Sequence, residues 1–205
     1  METILTASEY TIYAMLIVAS IFAFAIIIEK TILFSQISKS DKKIVPRIKE
    51  LLSLGTIDAI EDFEKEYPQN IYAKFCSFIK LHHAKGESAL FYLTNGKINE
   101  EKIFLEKRLI ILASLGSNAP FIGLLGTVIG LIKAFHSLGI DAESEVLMEA
   151  IAFTLLTTVG GLLIAIPAVM FNNYFNRRLK IITQTMEQIT ENALAGYHIK
   201  KGETE

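Results

Sequence analysis

The stretch Ser117–Phe135, SNAPFIGLLGTVIGLIKAF, is apolar enough to dissolve in lipid, yet it carries Pro120, Gly123, Gly126, Thr127 and Gly130. A plain anchor has no need of them. Small residues recurring along an apolar helix let a second backbone come close. The charge-free run around this stretch covers Leu109–Ile132, twenty-four residues, and two more such runs exist: Ile12–Ile28 with seventeen and Ala150–Asn176 with twenty-seven. A bilayer-crossing helix needs about 20 apolar residues. Hydrophobic residues make up 51% of the 205-residue chain, so composition and windows agree on three transmembrane helices.

The net charge of −2 is uninformative, but its distribution is not. Thirteen lysines and arginines lie between Ser35 and Arg108 and five follow Asn176, whereas Met1–Tyr10 and His136–Glu149 have none. The positive-inside rule counts basic residues near helix ends, here Lys30, Lys39, Lys42, Lys107, Arg108, Arg177, Arg178 and Lys180. It places the N-terminus outside and the C-terminus inside. Lys133 dissents, and its long stem is expected to snorkel to the outer interface. Before the first span stand Glu2 and Glu9 but no basic residue, and no small-residue cleavage site follows it, so this span reads as a retained anchor.

The expected organisation is an outer segment at 1–9, spans at 10–34, 109–135 and 150–176, a cytoplasmic helical domain at 35–108, an outer loop at 136–149, and a cytoplasmic extension with tail at 177–205. In the cytoplasmic domain, Pro46, Gly55, Pro68, Gly86 and Gly96 divide amphipathic pieces such as IDAIEDF and YAKFCSFIKL. Acidic residues intersperse with the lysines and leave no basic stripe for nucleic acid. Asn99 is the expected N-cap of a helix that runs on into the second span. Beyond the third span, Leu179, Ile182, Met186, Ile189 and Ala193 form a heptad-like seam up to Gly196. The fold class is therefore all-α: an integral membrane protein of three transmembrane helices, the second and third extended into the cytoplasm, plus a small helical domain.

Cys76 is the sole cysteine, which excludes an intramolecular disulfide and reads as an inert thiol. His82 and His83 nearby do not make a metal site, and neither metal nor cofactor is expected. No Cys/His or paired-carboxylate arrangement sits near a pocket-forming segment, which argues against an enzyme.

On the second span, Gly116, Pro120, Gly123, Thr127, Gly130 and Ala134 follow one another at alternating steps of four and three. On the third, Thr154, Thr158, Gly161, Ala165, Ala168 and Asn172 do the same. Two readings stand side by side. The stripes pack the helices together, Gly126 and Gly130 being themselves a GxxxG. Alternatively, stripes from several subunits line a central cavity, where Thr127 and Thr158 offer hydroxyls without the cost, at least about 2.5 kcal/mol at a helix centre, of a charge in lipid. Neither charge-free run contains Asp, Glu, His, Lys or Arg, so a proton path through them needs a carboxylate from another polypeptide. Glu29, beside Lys30, reads as an interfacial ion pair or headgroup contact.

These residues carry a likeness. APFIGLLGTVIGLIKAF resembles the second-span motif of the ExbB/TolQ proton-channel family, related to the MotA flagellar stators, and LLTTVGGLLIAIPAVMFNNYFNR, with Pro167, resembles its third span. The pair Glu29 and Lys30 fits its first. The resemblance implies a bacterial inner-membrane protein, periplasmic at its N-terminus, whose homopentamer surrounds ExbD- or TolR-like single-span subunits. It implies that their transmembrane Asp carries the proton past a threonine ring, here Thr127 and Thr158 with Thr154 beside them, and that work passes to a TonB- or TolA-like transducer. Gly116, Pro120, Gly123, Gly126, Gly130, Gly161, Ala165 and Pro167 become packing or pore-lining positions, and Glu29, Lys30, Arg177 and Arg178 the cytoplasmic interface. One position departs from the pattern: where many members have a glutamate at the outer start of the third span, this chain has Phe153. Glu149, one turn earlier, is the candidate substitute. A TolQ-like role and a non-conducting scaffold remain as alternatives.

Overall fold

The computed structural model describes residues 2–53, 61–68, 70–138 and 144–202. Among them are six helices and no strand: α1 Glu2–Ser53, α2 Glu61–Glu66, α3 Ile71–His83, α4 Glu87–Glu106, α5 Leu109–Leu138 and α6 Ser144–Gly202. Three of them, α1, α5 and α6, are long and apolar enough to cross a membrane. The chain is all-α with three candidate spans.

The pair of spanning helices that runs on past its apolar stretch is α1 and α6, not the second and third spans. Asn99 lies inside α4 rather than at a helix start, and the chain breaks at Lys107–Arg108, where Arg108 takes a φ of 71° before α5 begins. Pro46 and Gly96, expected as dividers, sit inside α1 and α4, and α6 passes Gly196. A proline forfeits one helical hydrogen bond, and Pro46 does so on an exposed face while Ile44, Ile48 and Leu52 stay buried. Burial outweighs the local breaker. Gly86 is a true break, with a φ of 94° that a side chain rarely adopts. Gly55 and most of IDAIEDF lie outside the described residues.

The chain divides into two compact units. The first comprises Met1–Lys30 with Arg108–Phe175. Its outward faces are apolar: Ile17, Val18, Phe22, Phe121, Leu125, Phe153 and Leu163 are all exposed. Exposed apolar surface on this scale needs a non-aqueous surrounding or a partner. Inside, α1 contributes Ile12, Leu16, Ala19, Ala23 and Ile27, all buried at helical spacing.

The second unit comprises Thr31–Lys107 with Asn176–Glu205. Helix α3 packs against both α2 and α4, burying Tyr72, Phe75, Cys76 and Ile79 with Leu90 and Ile98. Its start is fixed by Asn70, whose side-chain oxygen accepts hydrogen bonds from the backbone N–H of Tyr72 at 2.9 Å and Ala73 at 3.1 Å. Burial pushes the Cys76 thiol up to about 12, which leaves almost no reactive thiolate near neutral pH. On the α6 segment of this unit Leu179, Ile182, Met186, Ile189 and Ala193 are buried while Gln184, Glu187, Gln188 and Glu191 are exposed.

Candidate functional site

The candidate site is the seam where α5 meets α6 inside the first unit. Glycine makes the approach possible. A methyl group on Gly161 would stand 2.5 Å from the Ala119 carbonyl oxygen and 3.2 Å from the Gly123 Cα, and one on Gly123 would stand 2.7 Å from the Thr157 carbonyl oxygen. These are backbone atoms, which cannot step aside. Gly126 faces the Thr157 side chain and Ile12 of α1, Gly130 faces the Thr154 side chain, and Gly116 faces Val169. Gly160, one residue away from Gly161, has only the tip of Leu16 within reach at 3.8 Å. Gly116, Gly123, Gly126, Gly130 and Gly161 therefore press on a neighbouring helix, and Gly160 does not.

Four threonines belong to this region, and their hydroxyls are spent differently. Thr127 Oγ1 donates to the Leu124 carbonyl at 2.7 Å and Thr154 Oγ1 to the Ile151 carbonyl at 2.8 Å, each within its own helix. Thr157 Oγ1 shares its proton between the Thr154 carbonyl at 2.7 Å and the Gly123 carbonyl across the seam at 3.1 Å. All three side chains are buried. Thr158 is only half-buried, and among the described residues its hydroxyl makes no hydrogen bond. Of the four, it is the hydroxyl not committed to a backbone carbonyl.

Thr157 was not singled out by the sequence. The buried face of α6 runs Thr154, Thr157, Gly161, Ile164, Ala165 and Ala168, whereas a stripe through Thr158 fits the same three- and four-residue steps. Both phases obey helical spacing. Gly161, four residues after Thr157 and three after Thr158, fits either phase, and the packing against Gly123 decides between them. Pro120 and Pro167 are half-buried inside α5 and α6.

Ion pairs close both ends of the first unit. Lys133 Nζ donates to Glu9 Oε2 at 2.5 Å, so Lys133 joins α5 to α1. Beside this pair is a cavity of about 360 Å³ lined by Gly130, Phe153 and Thr154 as well as by Glu149, whose side chain is exposed. At the other end Glu29 accepts from Arg108, and Lys30, its neighbour, is buried at 2% exposure. The pair joins α1 to the residue that precedes α5, where the backbone takes its positive φ. In the second unit Arg177 is exposed, while the Nε of half-buried Arg178 has no hydrogen-bond partner.

Comparison with known proteins bears on this seam directly. The profile described as the MotA/TolQ/ExbB proton channel family matches residues 70–188, which include all of the α5–α6 contact described above. The Helicobacter pylori "Putative biopolymer transport protein ExbB-like 2" is 42% identical over 83 residues, 40% of this chain and 55% of that protein. "Biopolymer transport protein ExbB" of Neisseria gonorrhoeae is 44% identical over 78 residues, 37% of this chain and 36% of that one. "Tol-Pal system protein TolQ" of Haemophilus influenzae is 41% identical over 92 residues, 44% and 40% of the two chains. The matched part thus spans from about a third to just over half of these relatives. Among solved structures, a chain of the flagellar MotAB stator complex from Bacillus subtilis aligns with a TM-score of 0.61 at 20% identity, over 93% of this chain and 77% of that one. That likeness concerns the fold.

Proposed function

Because this chain belongs to the MotA/TolQ/ExbB proton channel family, we propose that it is the ExbB-like pore-forming subunit of a motor driven by the proton-motive force across the bacterial inner membrane. In this reading five copies surround a dimer of ExbD-like single-span subunits whose transmembrane Asp carries the proton. The motor then energises TonB-dependent transport at the outer membrane. The N-terminus faces the periplasm and the C-terminus the cytoplasm.

The observation that carries the reading is Thr158. Its hydroxyl is half-exposed and unbonded among the described residues, on a helix pair whose charge-free runs contain no Asp, Glu, His, Lys or Arg. A carboxylate arriving from a partner meets there a donor that is not already committed, and a hydrogen bond to a charged group is worth about 1.5–3 kcal/mol. The hydroxyl stabilises the ionised Asp, and its protonation releases the contact. Thr127 and Thr154, turned to their own backbones, shape the wall and need a rotamer change to join. Glu149 on the outer cavity is the proposed entry carboxylate in place of the position occupied by Phe153.

The test is proton flux into liposomes containing the chain with and without its single-span partner. Flux is expected only with both. Thr158→Val is expected to cut it about tenfold or more, from the bond energy just given, and Thr158→Ser to retain it. Undiminished flux in Thr158→Val overturns the hydroxyl role, and flux from neither preparation favours a scaffold. A TolQ-like role is the second reading, motivated by the 41% identity to the Haemophilus TolQ. Rescue of envelope integrity rather than of TonB-dependent uptake in a deficient strain selects it.

A further inference from the structure

The second unit contains a cleft of about 690 Å³ to which α1 contributes Leu33 and Gln36, the start of α3 contributes Asn70 and Lys74, and the end of α4 contributes Glu101 and Phe104. Asn70 is the unusual member. It is 5% exposed, its oxygen is committed to the Tyr72 and Ala73 N–H groups, and its Nδ2 is buried with no hydrogen-bond partner among the described residues. An unmet buried donor costs about 1–3 kcal/mol. The charge around it is polarised as well. Lys74 is exposed and makes no ion pair among the described residues, whereas the carboxylate of Glu101 is held by Lys97 at 3.0 Å. Donors therefore go unused on this cleft while its acid is already engaged.

The position along α1 says where such a ligand comes from. The charge-free run of α1 ends at Ile28. At 1.5 Å per residue, Leu33 stands about 8 Å and Gln36 about 12 Å further along the axis. The headgroup layer beyond the hydrocarbon is about 5–8 Å thick, so the cleft opens at its outer, aqueous edge. Phe104, 60% exposed, supplies an apolar wall for an acyl or glycerol portion. Lys74, the one basic residue among the described residues that line the cleft, adds an attraction for anionic lipid near this edge.

We propose that this cleft binds a phosphate ester, the headgroup of an anionic phospholipid, with Lys74 and the Asn70 amide as its donors. The site is independent of proton conduction. Its test uses the full chain and dioleoylphosphatidylglycerol. Bound lipid is counted by native mass spectrometry, and affinity is measured by titration into protein held in phosphatidylcholine nanodiscs. Asn70→Asp is the decisive variant, because a carboxylate still caps α3 while the amide donor is gone. Lys74→Gln, at an exposed position, is the second and decides the matter should Asn70→Asp fold poorly by circular dichroism. Each is expected to weaken phosphatidylglycerol binding about tenfold, the loss of one charge-assisted hydrogen bond. Excess inorganic phosphate separates the sources: displacement of the lipid assigns the site to phosphate groups in general, and no displacement assigns it to the lipid. Unchanged phosphatidylglycerol affinity in a folded Asn70→Asp protein and in Lys74→Gln overturns the proposal, as does equal binding of phosphatidylcholine headgroups by the wild type.

Discussion

The two units of this chain solve the same packing problem with opposite residues. In the second, α3 meets its neighbours through Tyr72, Phe75 and Ile79 against Leu90 and Ile98, large side chains driven out of water. In the first, α5 meets α6 through Gly123, Gly161, Gly130 and the threonines, with the large side chains turned outward. Lipid tails are as apolar as leucine, so burying leucine between helices there gains nothing, while close backbone contact and hydrogen bonds do. The difference teaches that side-chain size is read against the solvent each unit faces.

The contrast makes mutations of opposite sense damaging in the two units. The largest effect is expected from shrinking a residue in the second: Phe75→Ala should cost about 3–5 kcal/mol. Cys76, buried next to it and the sole cysteine, reports the loss as faster labelling by a thiol reagent. A rate no higher than in wild type would break the comparison. Next comes enlarging a residue in the first. Gly161→Ala should lose about 1–3 kcal/mol by overpacking, seen as a lower unfolding midpoint in detergent, whereas Gly160→Ala, with 3.8 Å of clearance, should stay near wild type. Equal effects at the two neighbours would mean that the seam is not set by contact.

Smaller effects sharpen it. Thr157→Val keeps the shape but removes the bond across the seam to Gly123, with an expected loss of about 0.6–2 kcal/mol in the same assay. Gly96→Ala should act in the other direction. Gly96 lies inside α4 with nothing within 4 Å of an added methyl group, so alanine should stabilise by about 0.5–1 kcal/mol. The smallest is a pH effect on α4. Burial alone would lower the ammonium of Lys97, but the carboxylates of Glu101 and Glu100 outweigh it and raise it above the ordinary lysine value. A raised basic group stabilises fully below its unfolded value and loses that contribution as pH climbs through the folded one. The midpoint of the second unit should thus be flat through neutral pH and decline in the strongly alkaline range, and Lys97→Met should remove that part of the decline.

The sequence made the spans legible because charge exclusion and length are one-dimensional properties. Three charge-free windows predicted three spanning helices, and three are present. Helix ends were less legible. Pro46 and Gly96 carry local breaking signals that burial along α1 and α4 overrides, while the break at Arg108 has no glycine or proline to announce it. Nor does anything local announce the tie of Lys133 to Glu9, which joins two helices that sequence spacing cannot relate. The distinction between Thr157 and Thr158 needed the rotation of α6, which three- and four-residue steps leave open by one position. The cleft around Asn70 was invisible, because whether the capping amide's Nδ2 finds a partner is decided by the packing around it and not by local sequence.

The bond from Thr157 has one further consequence. The Gly123 carbonyl lies within α5 and also receives that hydroxyl proton from α6. A doubly loaded carbonyl vibrates at lower frequency than one with a single bond. Isotopic substitution at this oxygen would turn it into an infrared gauge, recording in real time whether the two helices keep their register while the membrane is energised.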